Sequence, residues 1–170
     1  DTHSRATAHL ICGYSCYCKG FFDEAEGHLL KAIEYCQRMD LSPWYPYAVF
    51  WLGNVYSDMG NHDKATHYQV DALSLFERGG FAPWLEVAGI ALVRARVLAG
   101  DKDVDMGLVY EWARSNKARF YDSQIASFVG EILLHLGDEP SSEAEDWITK
   151  AIELDTDNRM MFFLGKDHVL

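Results

Sequence analysis

The sequence predicts an all-α fold, and two observations support this prediction. Apolar residues return every three or four positions through most of the chain, as at Ala25, Leu29 and Ile33, which is the spacing of an amphipathic helix. No segment alternates polar and apolar residues for long, and the Asn-Gly and Asp-Gly pairs typical of β-hairpins do not occur. The chain should therefore consist of helices joined by turns.

Glycines divide the apolar pattern into successive helices. Four of them follow an apolar stretch and precede a polar one, as expected where a glycine takes the left-handed conformation after a helix C-terminus. These are Gly20, Gly60, Gly100 and Gly137, and Asp23, Asp63 and Asp103 then suit the start of the next helix. The predicted helices cover residues 3–19, 22–38, 43–59, 62–78, 83–99, 103–118, 121–136, 141–155 and 158–170.

The first two helix pairs carry the same small residues at the same offsets, forty positions apart. A glycine inside a helix costs about 0.5–1 kcal/mol relative to alanine, so its recurrence marks a place where two helices lie too close for a side chain. Gly13, Ala25 and Ala32 match Gly53, Ala65 and Ala72, and the fourth pair supplies Gly130, Ala144 and Ala151. We predict that these residues pack between helices.

The segment "LGNVY", residues 52–56, followed by Gly60, Ala65 and Ala72, resembles the signature of the tetratricopeptide repeat family. Tyr56 takes the tyrosine place of that signature as a packing residue. The resemblance implies a right-handed α-α superhelix of about four helical hairpins with a trailing helix. One domain would cover 1–170, with repeats at 3–40, 43–80, 83–119 and 121–156 and a partial repeat at 158–170.

The forty-residue spacing exceeds the family's usual length of about 34 residues. In this respect the chain resembles the tetratricopeptide regions of bacterial signalling proteins. These include transcription regulators of the maltose-activator type and ATPases fused to adenylate or guanylate cyclase domains.

The resemblance also implies a concave groove lined by the first helix of each repeat, where an extended or helical peptide would bind. Its aromatic and apolar character suits an apolar partner, since aromatic anchors dominate such contacts. The alternative is that some of these aromatics pack between neighbouring first helices. The groove positions are Tyr14, Tyr17, Tyr47, Phe50, Asn54, Ile90, Arg94, Glu131 and His135, with Leu10, Asp58, Val97, Gln124 and Ser127.

Charge and composition narrow the choice of partner and compartment. Lys and Arg number 15 against 26 Asp and Glu, a net charge of -11, so phosphate backbones and anionic lipid would be repelled. No apolar run approaches the about 20 residues needed to cross a bilayer, and the first ten residues have no export signal. Three of the four cysteines fall within one predicted helix, which favours a reducing cytoplasm over a disulfide framework.

Catalytic and metal-binding patterns are weak. The common hydrolase, metalloprotease and nucleotide-binding motifs are absent from the sequence, so we expect no catalytic residue and no cofactor. His9, Cys12 and Cys16 share one helical face and could bind zinc with Cys18 and His28. The alternative, which we favour, is that the first three replace the signature residues of the first repeat as packing residues.

The C-terminal segment "NRMMFFLGKDHVL" places Met160, Met161, Phe162, Phe163 and Leu164 on a helix without a partner. We expect either a longer array or a homodimer through this helix to cover it. The leading hypothesis is a non-catalytic scaffold or sensor that binds a protein or peptide. The alternative is the regulatory C-terminal arm of a larger bacterial cyclase, ATPase or transcription regulator, with a small molecule in the groove.

Overall fold

The chain is helical throughout the part that a computed structural model describes, residues 1–39, 42–137, 141–158 and 161–170. No strand occurs in these ranges, which confirms the all-α prediction. The contacts between Cα atoms divide the chain into two compact units, residues 1–81 and 82–170. One continuous domain over 1–170 stays a prediction, and each unit is described below by itself.

The first unit consists of two antiparallel helical hairpins. α1 (Thr2–Tyr17) pairs with α2 (Phe22–Gln37), and α3 (Tyr45–Asp58) pairs with α4 (His62–Gly79). Both helices of the first hairpin also contact α3. Stacking of this kind is how repeat proteins bury an apolar face that one hairpin alone would expose.

The same turn closes both hairpins of the first unit. Gly20 and Gly60 have φ angles of 76° and 74°, a conformation that glycine adopts without steric cost. The residue after each glycine donates its backbone N–H across the turn, Phe21 to the Cys16 carbonyl at 3.0 Å and Asn61 to the Tyr56 carbonyl at 2.9 Å. The sequence period of forty is therefore a period of structure.

The described residues of the second unit form five α-helices: α5 (Leu85–Leu98), α6 (Met106–Ser115), α7 (Asp122–Leu136), α8 (Ser142–Asn158) and α9 (Met161–Asp167). α5 packs against α6 and α7, α7 pairs with α8, and α9 lies on α8. Short 3₁₀ turns precede α5 and α7.

Predicted details at two helix ends of this unit are wrong, although α7 ends at Leu136 as expected. Gly137 is extended, with φ -83° and ψ 157°, so the left-handed conformation predicted there does not form. The sixth helix begins at Met106 rather than near Asp103, because the Asp105 carboxylate accepts the Leu108 backbone N–H at 3.1 Å and caps the helix.

Small residues lie where the helices of each hairpin come closest. A Cβ atom added to Gly13 would lie 2.7 Å from Leu29 Cγ, and one added to Gly130 would lie 2.7 Å from Ile148 Cγ1. Gly53 has the same relation to the Gln69 amide, also at 2.7 Å. The alanines of the same register have no exposed area: Ala25, Ala32, Ala65, Ala72, Ala144 and Ala151.

The third hairpin, formed by α5 and α6, also brings its helices together at a glycine. This glycine does not lie at the position that the forty-residue period predicts. A Cβ added to Gly89 of α5 would lie 2.9 Å from the Trp112 ring of α6. The close approach of the two helices is thus retained, although its position in the sequence has moved.

The predicted apolar face of the trailing helix falls largely outside the described residues. This applies to Met160 and to the side chains of Met161, Phe162 and Leu164. Phe163 is described, and it is 9% exposed.

Candidate functional site

The predicted groove residues differ widely in exposure. Tyr14 and Tyr47 are half-buried and His135 is exposed. Six others are 0–6% exposed: Tyr17, Phe50, Asn54, Ile90, Arg94 and Glu131. We had predicted that these six side chains line the groove. Their burial shows that they do not form an accessible surface, because a side chain with almost no exposed area cannot make the first contact with a partner.

An aromatic cluster in the first unit accounts for the buried tyrosine and phenylalanine. The Trp51 ring centroid lies 4.5 Å from that of Tyr14, 5.5 Å from that of Tyr17 and 5.0 Å from that of Phe50. Edge and tilted contacts at these separations are favourable. Tyr17 and Phe50 thus pack where α1 meets α3, which is the alternative that the sequence left open for the aromatics.

Polar contacts fix the same two helices. The Tyr17 hydroxyl donates to Asp58 Oδ2 at 2.8 Å, which ties the last turn of α1 to the last turn of α3. Asn54 is buried, and its amide donates to the Phe50 carbonyl at 3.1 Å. Asn54 therefore acts within α3 rather than at a surface.

One strip of the first unit contains a predicted groove residue, Tyr14, together with side chains that are exposed to solvent. Ile11 and Tyr14 of α1 and Cys18, the residue that follows the helix, are at helical spacing, and we call them the α1 surface. Ile11 is 58% exposed, and the other two are half-buried. Tyr14 connects this surface to the aromatic cluster through Trp51.

A buried ion pair occupies the predicted groove positions of the second unit. Arg94 Nε donates to Glu131 Oε2 at 2.7 Å and Arg94 Nη2 donates to Oε1 at 3.2 Å, a two-pronged contact between α5 and α7. The side chains are 1% and 8% exposed. Arg94 had been predicted to line the groove, and in the structure it pairs with a carboxylate of the chain itself.

The C-terminal helix α9 contacts α7 at the same place. Lys166 Nζ lies 3.3 Å from Glu131 Oε2 and 5.7 Å from the centroid of the Phe128 ring. The Ser127 hydroxyl donates to Asp167 Oδ1 at 2.6 Å. We call Ser127, Phe128 and Glu131 the α7 surface, and α9 lies on it.

The histidine and cysteine positions weighed for zinc are spread over the first hairpin. The Nδ1 atoms of His9 and His28 are 2.9 Å apart, and burial together with the nearby His28 lowers the pKa of His9. Cys12 is exposed. Among the residues that the structure describes, no three His, Cys, Asp or Glu side chains converge as metal ligands.

An open cleft of about 600 Å³ lies at the C-terminal ends of α2 and α4. Its lining is mostly apolar and includes Cys36, Pro46, Leu75 and Phe81, with Arg78 at the rim. The Ser42 hydroxyl donates to the Cys36 sulfur at 3.2 Å, and burial raises the pKa of that thiol. No sequence motif indicates this cleft, because its walls come from separate helices and a turn.

Comparison with known families assigns the second hairpin. Residues 46–78, which span most of α3 and α4, match the tetratricopeptide repeat model. The chain contains a tetratricopeptide repeat. Neither the search of curated proteins nor that of solved structures gave a match. Within the described ranges, no helix is both long and apolar enough to cross a membrane.

Tetratricopeptide repeats generally mediate contacts between proteins, and the family is generally non-catalytic. The hairpin that matches the family model is the one whose first helix carries Trp51 and Phe50. The α1 surface therefore lies beside the helix of this chain for which the family assignment is strongest.

Proposed function

We propose that this chain is a non-catalytic module that binds a protein or peptide partner through the α1 surface. The observation that carries the proposal is Tyr14, a half-buried aromatic residue that stacks on Trp51 of the tetratricopeptide repeat while part of it stays accessible. A ring held in this way loses little conformational freedom on binding, which favours affinity.

The chemistry of the surface indicates the kind of partner. Ile11 and Tyr14 offer apolar and aromatic area, and the net charge of the chain is -11. An apolar segment flanked by basic residues would match both properties, since complementary charge raises the rate of association. Nucleic acid and anionic lipid would be repelled, so we do not propose them as partners.

Site-specific photocrosslinking tests this proposal. Ile11 and Val70 are both β-branched and about half exposed, at 58% and 49%, but Val70 lies on α4. A benzophenone amino acid at position 11 should capture a discrete partner from the native source, and one at position 70 should not. Tyr14→Ala should reduce the capture at position 11 about fivefold or more, as expected for loss of an aromatic anchor.

Two outcomes would count against this proposal. One is equal capture from positions 11 and 70, and the other is unchanged capture after Tyr14→Ala in a protein whose thermal unfolding matches the parent. Either result would show that the α1 surface does not select a partner.

A second candidate function is the sensing of a small molecule, and the cleft of the first unit favours it. Its size falls within the range of about 300–1,000 Å³ of small-molecule sites. Apolar walls with Arg78 at the rim would suit an amphipathic carboxylate. A panel of such acids should raise the melting temperature of the parent and of Arg38→Gln, but not of Arg78→Gln. If none of these acids shifts the melting temperature of the parent, this candidate function is ruled out.

The wider setting is also a proposal. A regulatory arm of a bacterial cyclase, ATPase or transcription regulator would use either surface to bind a neighbouring domain or an effector. The cytoplasm would be the compartment, in keeping with three of the four cysteines falling within one predicted helix.

A further inference from the structure

Two polar contacts join α9 to the α7 surface. Lys166 reaches Glu131 and Asp167 accepts from Ser127, so two consecutive residues of α9 meet two residues one helical turn apart on α7. Sequence reasoning had assigned Ser127 and Glu131 to the face that binds a partner. The chain's own C-terminal helix now lies on them.

A pair of buried acids lies behind this contact. Asp167 on α9 and Asp155 on α8 are each 1% exposed. The Ser127 hydroxyl donates to Asp167 Oδ1, and hydrogen bonds from Ser123 and Asp167 favour the charged form of Asp155. The Lys166 ammonium, whose charge acts on Asp167, also lies 3.3 Å from Glu131 Oε2. Two ionised carboxylates in this setting would be costly, whereas one protonated carboxyl removes most of that cost.

We propose that α9 is a releasable cover of the α7 surface, which stays seated while one of the two acids, Asp155 or Asp167, is protonated and which detaches when both ionise. Release would uncover Ser127 and Glu131. This inference does not depend on whether a partner binds the α1 surface.

The charges around Asp167 support this inference. Burial raises the pKa of Asp167 to about 7, the Ser127 hydrogen bond and Lys166 lower it, and the charge of Asp155 raises it. Burial also raises the pKa of Asp155. Glu131 on α7 is another acid that contacts Lys166, and its charge is compensated by Arg94 of α5 and by Lys166.

The direction of the pH effect follows from these shifts. An aspartate in water has a pKa near 3.8, so between that value and about 7 the seated state holds a proton that the detached state has lost. Seating is therefore strongest below about pH 4, weakens as the pH rises from there to about 7, and levels off above that value. Between pH 6 and pH 8, one group with this pKa changes the seating equilibrium about tenfold.

Hydrogen exchange of the whole chain, followed by mass spectrometry, tests the proposal. The peptide that covers α9 is compared at pH 6 and pH 8, after correction for the intrinsic effect of pH on exchange. We expect about tenfold less protection of α9 at pH 8, with α7 amides beneath it affected in the same direction. Equal corrected protection at both pH values would overturn the proposal.

Three variants make the result specific. Asp167→Asn and Asp155→Asn each remove one of the two charges, so α9 should stay protected at pH 8 in both. Asp157→Asn removes an exposed acid of α8 and should behave like the parent. If one of the first two variants does not fold, the other decides. Loss of protection at pH 8 in every folded variant would show that another group controls α9.

Discussion

Glu131 is the carboxylate that pairs with two cationic side chains of the second unit. Arg94 contacts both of its oxygens and Lys166 contacts one, and all three side chains are mostly buried. Arg94 also lies over the Phe128 ring, with 4.6 Å between its guanidinium carbon and the ring centroid. A buried charge is tolerated only when its partner is present, so the energetic role of Glu131 should be large.

Removal of Glu131 gives a prediction at the residue scale. Glu131→Ala should lower the free energy of unfolding by about 3–5 kcal/mol, because it leaves the Arg94 charge buried without its carboxylate. Urea denaturation of the variant beside the parent measures this change. The double variant Arg94→Met, Glu131→Leu should recover most of the loss, since apolar residues of similar size are often as stable as a buried pair.

A loss below about 1 kcal/mol in Glu131→Ala would place the pair among exposed ion pairs, which contribute that little. It would then contradict the burial described here.

The sequence contained a partial signal for this pair. Glu131 is the one charged residue in the apolar stretch "IASFVGEILL", and Arg94 lies within "LVRARVL". Isolated charges inside apolar helices need partners, so both could have been expected to pair. Their spacing of 37 residues did not show that they pair with each other. Which residues pair depends on which helices pack together and on how far along each helix the contact lies.

The repeat period does indicate contacts of this type once the stacking is known. Tyr17 and Asp58 are 41 residues apart, and Ser127 and Asp167 are 40 apart. Each pair joins a first helix to the next first helix within one unit. The sequence period therefore predicts which helices meet, whereas the individual polar partners require coordinates.

At the element scale, apolar spacing located the helices and local chemistry set their ends. Pro83 and Trp84 were expected inside the fifth helix, but they lie in a 3₁₀ turn and α5 begins at Leu85. Gly137 follows α7 in an extended conformation. Such ends depend on which backbone groups find partners after folding, so propensity alone does not determine them.

Helix α6 offers a prediction at this scale. Asp105→Ala should lower the free energy of unfolding by about 1 kcal/mol, because it removes the side chain that caps the helix. Asp103→Ala is the matched control, since the sequence had placed the start of the helix there and the structure does not. Chemical denaturation of both variants measures the difference. A larger loss in Asp103→Ala would restore the earlier boundary.

At the scale of the whole molecule, the two compact units repeat one building principle. Each contains helical hairpins whose helices approach at a glycine, at Gly13 and Gly53 in one unit and at Gly89 and Gly130 in the other. The family model matches 46–78, and the other hairpins reach the same packing with sequences that depart further from the signature.

Self-association is a further prediction at this scale. A homodimer through the C-terminal helix would cover the apolar residues that the sequence places there. Light scattering over a range of concentrations should show a mass above the 19.3 kDa of one chain. A constant mass of one chain at the highest concentration would contradict the dimer, and it would leave the hairpin packing unaffected.

The central claim is that recurring small residues mark where helices touch, and two glycines of the first hairpin test it most directly. Gly13 faces Leu29 in α2, whereas a Cβ added to Gly27, in the middle of α2, would meet no atom within 4 Å. The measurement is the free energy of unfolding of Gly13→Ala and of Gly27→Ala. We expect a loss of about 1–3 kcal/mol for the first and a gain of about 0.5–1 kcal/mol for the second. A gain in both variants would contradict it.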